Sequence, residues 1–386
     1  MTIPLSRPDL GAPERAYVQE VLGSGRLALG PYAKQFEEHM AARCGTAHAV
    51  AVSSGTAALH LMLRALGVGP GHVVLTTPFS FVASANVALY VGATPRFVDI
   101  DPATYLLDPD RVAQALTPDV RALLPVDVFG RPADWPALTA LAAAHDLLLI
   151  DDACEALGAT VDGVPIGRWG HGAAFGFYPN KQITLGEGGC ITTDDAALAA
   201  HCRSLRNQGR ATDQRMEHVE LGYNYRLSEL SAAVGCGQLE RLDDLLARRM
   251  EVAHRYEMLL ADLHDDLIGP APVPATHHRS WFVYVIRLSN TYTAEARDAL
   301  MARLQAAGIG CAPYFPCIHL QPYYRQRFGY RRGDFPEAER VADRTLALPF
   351  FPTLDIEAQA YVVAQIREAL PQLPRRTTTA SVRQTG

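Results

Sequence analysis

Of the 35 basic side chains in this 386-residue chain, 33 are Arg and two are Lys, Lys34 and Lys181. A coding bias that favours Arg wherever a positive charge suffices leaves Lys where Arg cannot serve. Arg stays protonated and forms no imine, whereas a buried Lys can lose its proton and become a nucleophile. Lys34, in PYAKQFEEHM, takes a polar position on an amphipathic helix and is expected in solvent. Lys181 follows Pro179-Asn180 at the end of an apolar strand and precedes Gly186, Gly188 and Gly189. A turn hemmed by strands and glycines suits a structural or a reactive lysine better than a solvated one. No GxxxxGK[ST] precedes it, so it is not a nucleotide-loop lysine.

Three further segments carry chemistry. In AVAVSSGTAALHLMLRAL a strand ends in Ser53-Ser54-Gly55-Thr56 and a helix begins. Its first-turn N–H groups suit a phosphate, and a plain helix cap is the alternative. In LLLIDDACEALGA a buried strand delivers Asp151 and Asp152 at its carboxyl end, with Glu155 three residues on. Such an acid pairs with an Arg, caps a helix, or faces a protonated heterocyclic nitrogen. LGYNYRLSEL places Asn224 and Arg226 among aromatics and offers Ser228 as a helix cap. A phosphate cup, an acid at a strand end and a buried lysine together make a site for pyridoxal 5′-phosphate. That cofactor needs an amine for its aldehyde, donors for its phosphate and an anion for its pyridine nitrogen.

The elements that position these residues read as an α/β protein. Apolar strands alternate with helix-period segments: strands over 48–52, 72–76, 94–98, 122–126, 147–150, 173–178 and 189–193, and helices over 56–66, 80–90, 110–116 and 135–145. The alternation implies a mostly parallel sheet flanked by helices, with ligands beyond the carboxyl ends of the strands. Residues 228–260 read as one long helix. After the Pro-rich GPAPVPATHH come a strand over 281–288 and helices over 293–307 and 355–370. The expected division is a large cofactor-binding domain (1–250), a smaller C-terminal α+β domain (251–374) and a disordered tail (375–386).

Composition removes other classes. Apolar residues are 48% and charged residues 20%, an ordinary globular balance. A net charge of −6 leaves no basic surplus for nucleic acid or an anionic membrane. No apolar run is long enough for a membrane span, and MTIPLSRPDL lacks a signal-peptide pattern, so a cytoplasmic protein is expected. Seven cysteines without a CxxC pair, and no HExxH, suggest neither a disulfide framework nor a zinc site.

The segments SGRLALGPYAKQFE (24–37), SSGTAALHL (53–61), PFSFVASANVALYVGATPRFVDID (78–101), DDACEALGA (151–159), FYPNKQITLGEGG (177–189), GYNYRLSELSAAVG (222–235) and YFPCIHLQPYY (314–324) occur in an order that resembles the DegT/StrS-type sugar-nucleotide aminotransferases. The resemblance runs from about Pro4 to about Leu370 and is nearest the perosamine-synthase-like branch, which aminates 4-keto sugar nucleotides. It implies the fold type I pyridoxal phosphate architecture and amino transfer from L-glutamate to a keto sugar nucleotide. An amino-cyclitol acceptor and a non-catalytic regulatory role are the alternatives. Residue by residue, it implies Lys181 as the lysine that bonds the cofactor aldehyde and Asp152 as the partner of its pyridine nitrogen. Glu155 stands beside the ring hydroxyl where many relatives have Gln, and Phe81 stacks on the ring. Ser54, Gly55 and Thr56 hold the phosphate, and Asn224 reaches it from a second subunit, which implies a homodimer. Arg226, Tyr314 and His319 are implied near substrate. Gly176 replaces a Ser that contacts the phosphate in many relatives.

Overall fold

The computed structural model describes residues 2–211 and 217–376. Seven strands form the main sheet: β1 (His48–Val52), β2 (Val73–Thr76), β3 (Thr94–Phe97), β4 (Val120–Leu124), β5 (Leu148–Asp152), β6 (Gly172–Gly176) and β7 (Gly189–Thr193). Their spatial order is β1-β7-β6-β5-β4-β2-β3. β7 runs antiparallel to both its neighbours, and the remaining pairings are parallel. β2, β5 and β7 are short runs buried along their length, as a sheet covered on both faces requires, whereas β3 at the edge is partly exposed. Alternate residues serve opposite faces. Val50, Val74, Leu124, Ile150 and Ile191 join one core, whereas Ala49, Leu75, Leu123, Leu149 and Phe175 join the other.

Helices α1 (Ala12–Ser24), α2 (Pro31–Cys44), α3 (Gly55–Ala65), α4 (Ala83–Tyr90), α5 (Pro109–Gln114), α6 (Trp135–Ala144) and α7 (Ala196–Arg206) accompany this sheet. The expected helix over 80–90 starts at Ala83, after a bend that ends at Ser80 and a turn at Val82. The expected single helix over 228–260 is two, α8 (Glu229–Glu240) and α9 (Leu242–Leu260). Apolar spacing runs on across the break, so it gives no warning. The chain turns at Arg241 (φ −104°, ψ 4°), whose guanidinium reaches sideways to Asp9 (2.9 Å) and Glu14 (3.0 Å). α8 is rich in small buried residues and packs on α1 and α2, whereas α9 is amphipathic.

α9 crosses the expected boundary at 250/251. Beyond it lie an antiparallel sheet of β8 (Leu267–Ile268), β9 (Tyr284–Leu288) and β10 (Thr345–Leu348), and helices α10 (Ala294–Ala306), α11 (Pro322–Phe328), α12 (Pro336–Ala342) and α13 (Ile356–Ala369). Val252, Tyr256, Leu300, Leu346 and Val362 share one core there, and Ile3 joins it. The N-terminal segment straps onto this unit. Ile3 N–H donates to Gly308 O (2.9 Å), Gly310 N–H to Ile3 O (2.7 Å) and Phe350 N–H to Leu5 O (2.9 Å). The first two residues of the expected tail over 375–386 fall within the described residues. Arg375 pairs with Asp266 (2.9 Å), and Arg376 N–H donates to Thr291 O (2.8 Å). Residues 377–386 lie outside the described residues.

One turn ties the sheet to the segment before β9. Gly130 has φ +74°, and a Cβ there would lie 1.6 Å from Ser280 O. Ser280 N–H also donates to Gly130 O (3.0 Å). Gly130→Ala is expected to lower stability by at least about 3 kcal/mol, read as a fall in the denaturation midpoint at unchanged slope.

Candidate active site

The pleat of β5 decides which of its two terminal acids can meet a ligand. Adjacent strand residues face opposite ways. Asp152 therefore points to the α3 side and lines a cavity of about 650 Å³, while Asp151 points into the back core and is fully buried. Asp152 Oδ2 accepts from Ser84 Oγ (2.7 Å) at the start of α4, and Oδ1 accepts from Cys154 N–H (3.3 Å). The acid is thereby held in one orientation by groups from a neighbouring helix and from the turn that follows it.

Lys181 enters the same cavity. Its Nζ lies 3.4 Å from Glu155 Oε1 and 4.1 Å from the centroid of the Phe282 ring. Its backbone is pinned at both ends: Lys181 N–H donates to Tyr178 O (2.9 Å), and the Lys181 carbonyl accepts from Arg249 Nη2 (2.6 Å). Gln182 Nε2 bonds Ser280 Oγ (3.1 Å), so the turn cannot drift from the adjoining segment. Glu155 Oε2 accepts from Phe129 N–H (2.8 Å). Burial raises the Glu155 carboxyl above its ordinary value, while the Lys181 ammonium pulls it down.

The first turn of α3 closes one end. Ser54 caps the helix through Ala57 N–H (3.1 Å). Helix geometry leaves the Gly55 and Thr56 N–H groups without intrahelical partners, and both residues line the cavity. Gly176 and Cys154 back this end: a Cβ on Gly55 would sit 2.6 Å from Cys154 Sγ, so the strand and helix approach closely only with glycine there. Phe81 stands at the cavity with its ring exposed. Tyr314 lines the other side, accepts from Asn180 Nδ2 (3.3 Å) and stacks on Phe315 (4.9 Å between centroids). Asn180 Oδ1 is buried without a partner.

Eight expected residues thus share one cavity: Ser54, Gly55, Thr56, Phe81, Asp152, Glu155, Lys181 and Tyr314. Three do not. His319 requires a correction. It is fully buried among Phe97, Tyr330 and Phe335, and its Nε2 bonds Glu339 Oε1 (2.9 Å), so its ring is a packed core element and does not line this cavity. Asn224 is exposed and pairs with Asn207 through the backbone. Arg226 bonds Asn207 Oδ1 (2.9 Å) and lines a separate cleft with Arg203, Arg206 and Arg210. Ser84, Phe282 and Arg249 were missed. Each acts through long-range contact, and only Ser84, a hydroxyl near a helix start, carries a local signal.

The donor set fits pyridoxal phosphate: one amine, one oriented carboxylate, free first-turn N–H groups for a phosphate and an aromatic ring open for stacking. The sheet and this site define a fold type I pyridoxal phosphate aminotransferase. The chain belongs to the DegT/DnrJ/EryC1/StrS aminotransferase family, which matches residues 8–367. It is 38% identical over 377 residues to the spore coat polysaccharide biosynthesis protein SpsC of Bacillus subtilis, covering 95% of this chain and 96% of that one. It is 40% identical over 354 residues to a pleiotropic regulatory protein of Geobacillus stearothermophilus, covering 91% and 92%. Among solved structures, S. venezuelae DesV superposes with a TM-score of 0.89 at 38% identity, covering 97% and 100%. The PLP-form of the putative sugar aminotransferase Spr1654 from Streptococcus pneumoniae gives 0.91 at 27% identity, covering 96% and 99%.

Proposed function

We propose that this enzyme moves an amino group from L-glutamate to a keto sugar nucleotide, most simply a 4-keto-6-deoxy sugar, and releases 2-oxoglutarate. The observation that carries the reading is Lys181 Nζ, held 3.4 Å from Glu155 in the cavity that Asp152 also lines. When bound, pyridoxal phosphate supplies an electron sink for the carbanion at the donor carbon. The chain supplies the rest. Lys181 would anchor the aldehyde at rest and, once free and neutral, its Nζ would carry the donor α-proton. Asp152, fixed by Ser84, would meet the pyridine nitrogen. Phe81 would cover the ring, and the Gly55 and Thr56 N–H groups would hold the phosphate with the Ser54 cap beside them. Glu155, with its Phe129 N–H partner, orients Lys181.

A second cavity, of about 880 Å³, shares Phe81, Phe315 and Pro316 with the first. It is lined by Tyr90, Tyr323, Gln321 and Arg327, with Arg327 5.9 Å from the Tyr323 ring centroid. Such a chamber accommodates a nucleotide beyond the sugar: aromatic faces for the base and a guanidinium for the diphosphate. A free amino-cyclitol acceptor leaves that chamber idle, and this favours the sugar nucleotide.

Asn224 and Arg226 serve a site from the exposed side of the chain, which fits a homodimer with shared sites. The kinship with SpsC fits a role in polysaccharide biosynthesis, and the absence of any helix long and apolar enough to cross a membrane, among the described residues, fits a cytoplasmic setting.

Lys181→Arg is expected to abolish turnover while the chain stays folded. Turnover retained in that variant, measured as 2-oxoglutarate release, refutes the scheme. A cofactor absorption band that glutamate fails to discharge in the wild type points to the regulatory reading instead. Arg327→Ala is expected to raise KM for the sugar nucleotide about 10- to 100-fold, with the half-reaction with glutamate unchanged. Equal acceptor KM in both proteins removes Arg327 from the acceptor site. Mixing inactive Lys181→Arg with Asn224→Ala should restore activity through dimers that carry one intact site. No gain on mixing excludes a shared site.

A further inference from the structure

One buried imidazole–carboxylate pair takes no part in the mechanism. His319 lies in the helical turn Ile318–Leu320, between the Tyr314–Phe315 wall of the first cavity and α11, which carries Tyr323 and Arg327 of the second. Its Nε2 is 2.9 Å from Glu339 Oε1 on α12, and both side chains are buried. His319 Nδ1 is buried with no hydrogen-bond partner among the described residues. The ring therefore carries its proton on Nε2 and donates it to Glu339. The other tautomer would bury an N–H without an acceptor and set a lone pair against the carboxylate.

Glu339 is held from its other sides. Gly333 N–H donates to both its oxygens (2.9 Å each), and Phe335 N–H donates to Oε1 (3.3 Å). α12 itself starts on Asp99, two residues beyond β3, which accepts from Glu337 N–H (2.9 Å) and Ala338 N–H (2.8 Å). On the near side of the ring, Ile318 N–H donates to Pro78 O (2.8 Å), two residues beyond β2. The bonds thus run from the end of β3 through α12, Glu339 and His319 to the end of β2, and β2 pairs with β3. The circuit closes on the sheet. α11 needs such support. It has 7 residues, too few to keep a helix in place unaided, and it buries only Tyr324, whose hydroxyl donates to Asn86 Oδ1 (2.7 Å) on α4.

We propose that His319 is a positioning residue for the acceptor: its bond to Glu339 latches residues 316–328 to the sheet and so fixes where Tyr323 and Arg327 stand relative to Phe81, which lines the same cavity. The imidazole touches no substrate. It works through the backbone of the turn that leads into α11. The effect on the acceptor rests on the reading of the second cavity as the nucleotide chamber; the latch itself does not. His319→Leu removes the donor and leaves Glu339 with its backbone N–H partners. His319→Gln offers an amide N–H in place of the ring Nε2–H.

Amide hydrogen exchange of the holoenzyme over 316–328, read beside steady-state kinetics, tests the latch and its consequence separately. In His319→Leu these amides are expected to exchange about tenfold faster than in the wild type. The acceptor KM should rise about 10-fold, with the glutamate half-reaction and the cofactor absorption unchanged. His319→Gln is expected to bring both exchange and KM back to within about threefold of the wild type. Unchanged exchange in His319→Leu overturns the proposal. So does a folded His319→Gln whose acceptor KM rises about 10-fold, and this variant decides the matter if His319→Leu does not fold. Faster exchange in His319→Leu with the acceptor KM unchanged there and raised in Arg327→Ala overturns the positioning role. Faster exchange with the acceptor KM unchanged in both variants removes the nucleotide reading of the chamber and leaves the latch standing.

Discussion

Buried negative charge is the constraint on which this structure turns. The ends of β4 and β5, with the turn after β5, bring Asp127, Asp151, Asp152 and Glu155 into one neighbourhood, and Lys181 is the cation paired with a member of that group. A carboxylate held inside a protein must be paired, hydrogen-bonded or protonated. Glu155 takes the amine and a backbone N–H, Asp152 takes a serine hydroxyl and a backbone N–H, and both oxygens of Asp151 are buried without a hydrogen-bond partner among the described residues. The sheet pleat makes the assignment, since it sends one acid of the Asp151-Asp152 pair to the ligand side and its neighbour into the core.

The lysine is framed as tightly as the acids. Both peptide groups of Lys181 are hydrogen-bonded, so the mobile part of the residue is its side chain. That suits the role proposed for its amine, because each state needs only torsions about aliphatic carbons. Around it, Phe282, Tyr314 and Phe315 make an aromatic wall contributed by the small unit. The cavity is therefore built from both sides of α9, and the packing of the small unit onto the sheet shapes it.

Much of this was legible in the residues. The seven strands, the Ser54 cap and the turn bearing Lys181 follow from apolar runs, glycines and a scarcity of lysine. The rest was not, for physical reasons that differ. The break at Arg241 is set by two acids more than 200 residues away, and no local period records it. His319 was placed near substrate by the family resemblance of its segment, yet a ring with one carboxylate partner and aromatic neighbours packs well in a core. Ser84 and Phe282 reach the site only through tertiary contact. Asp151 reads as half of an acidic pair, and only the face it takes separates its fate from that of Asp152.

The strap formed by Ile3 and Leu5 has a consequence for how the molecule is made. Its partners, Gly308, Gly310 and Phe350, are synthesised some 300 residues later. During translation the main sheet can condense once β7 has emerged, while the leading segment waits for the last unit to leave the ribosome. Residues 3–5 and residues 308–350 then close on each other in a late, long-range step whose loop entropy the earlier sheet has already reduced. Assembly of the small unit accordingly waits on a clasp between residues 3–5 and residues 308–350.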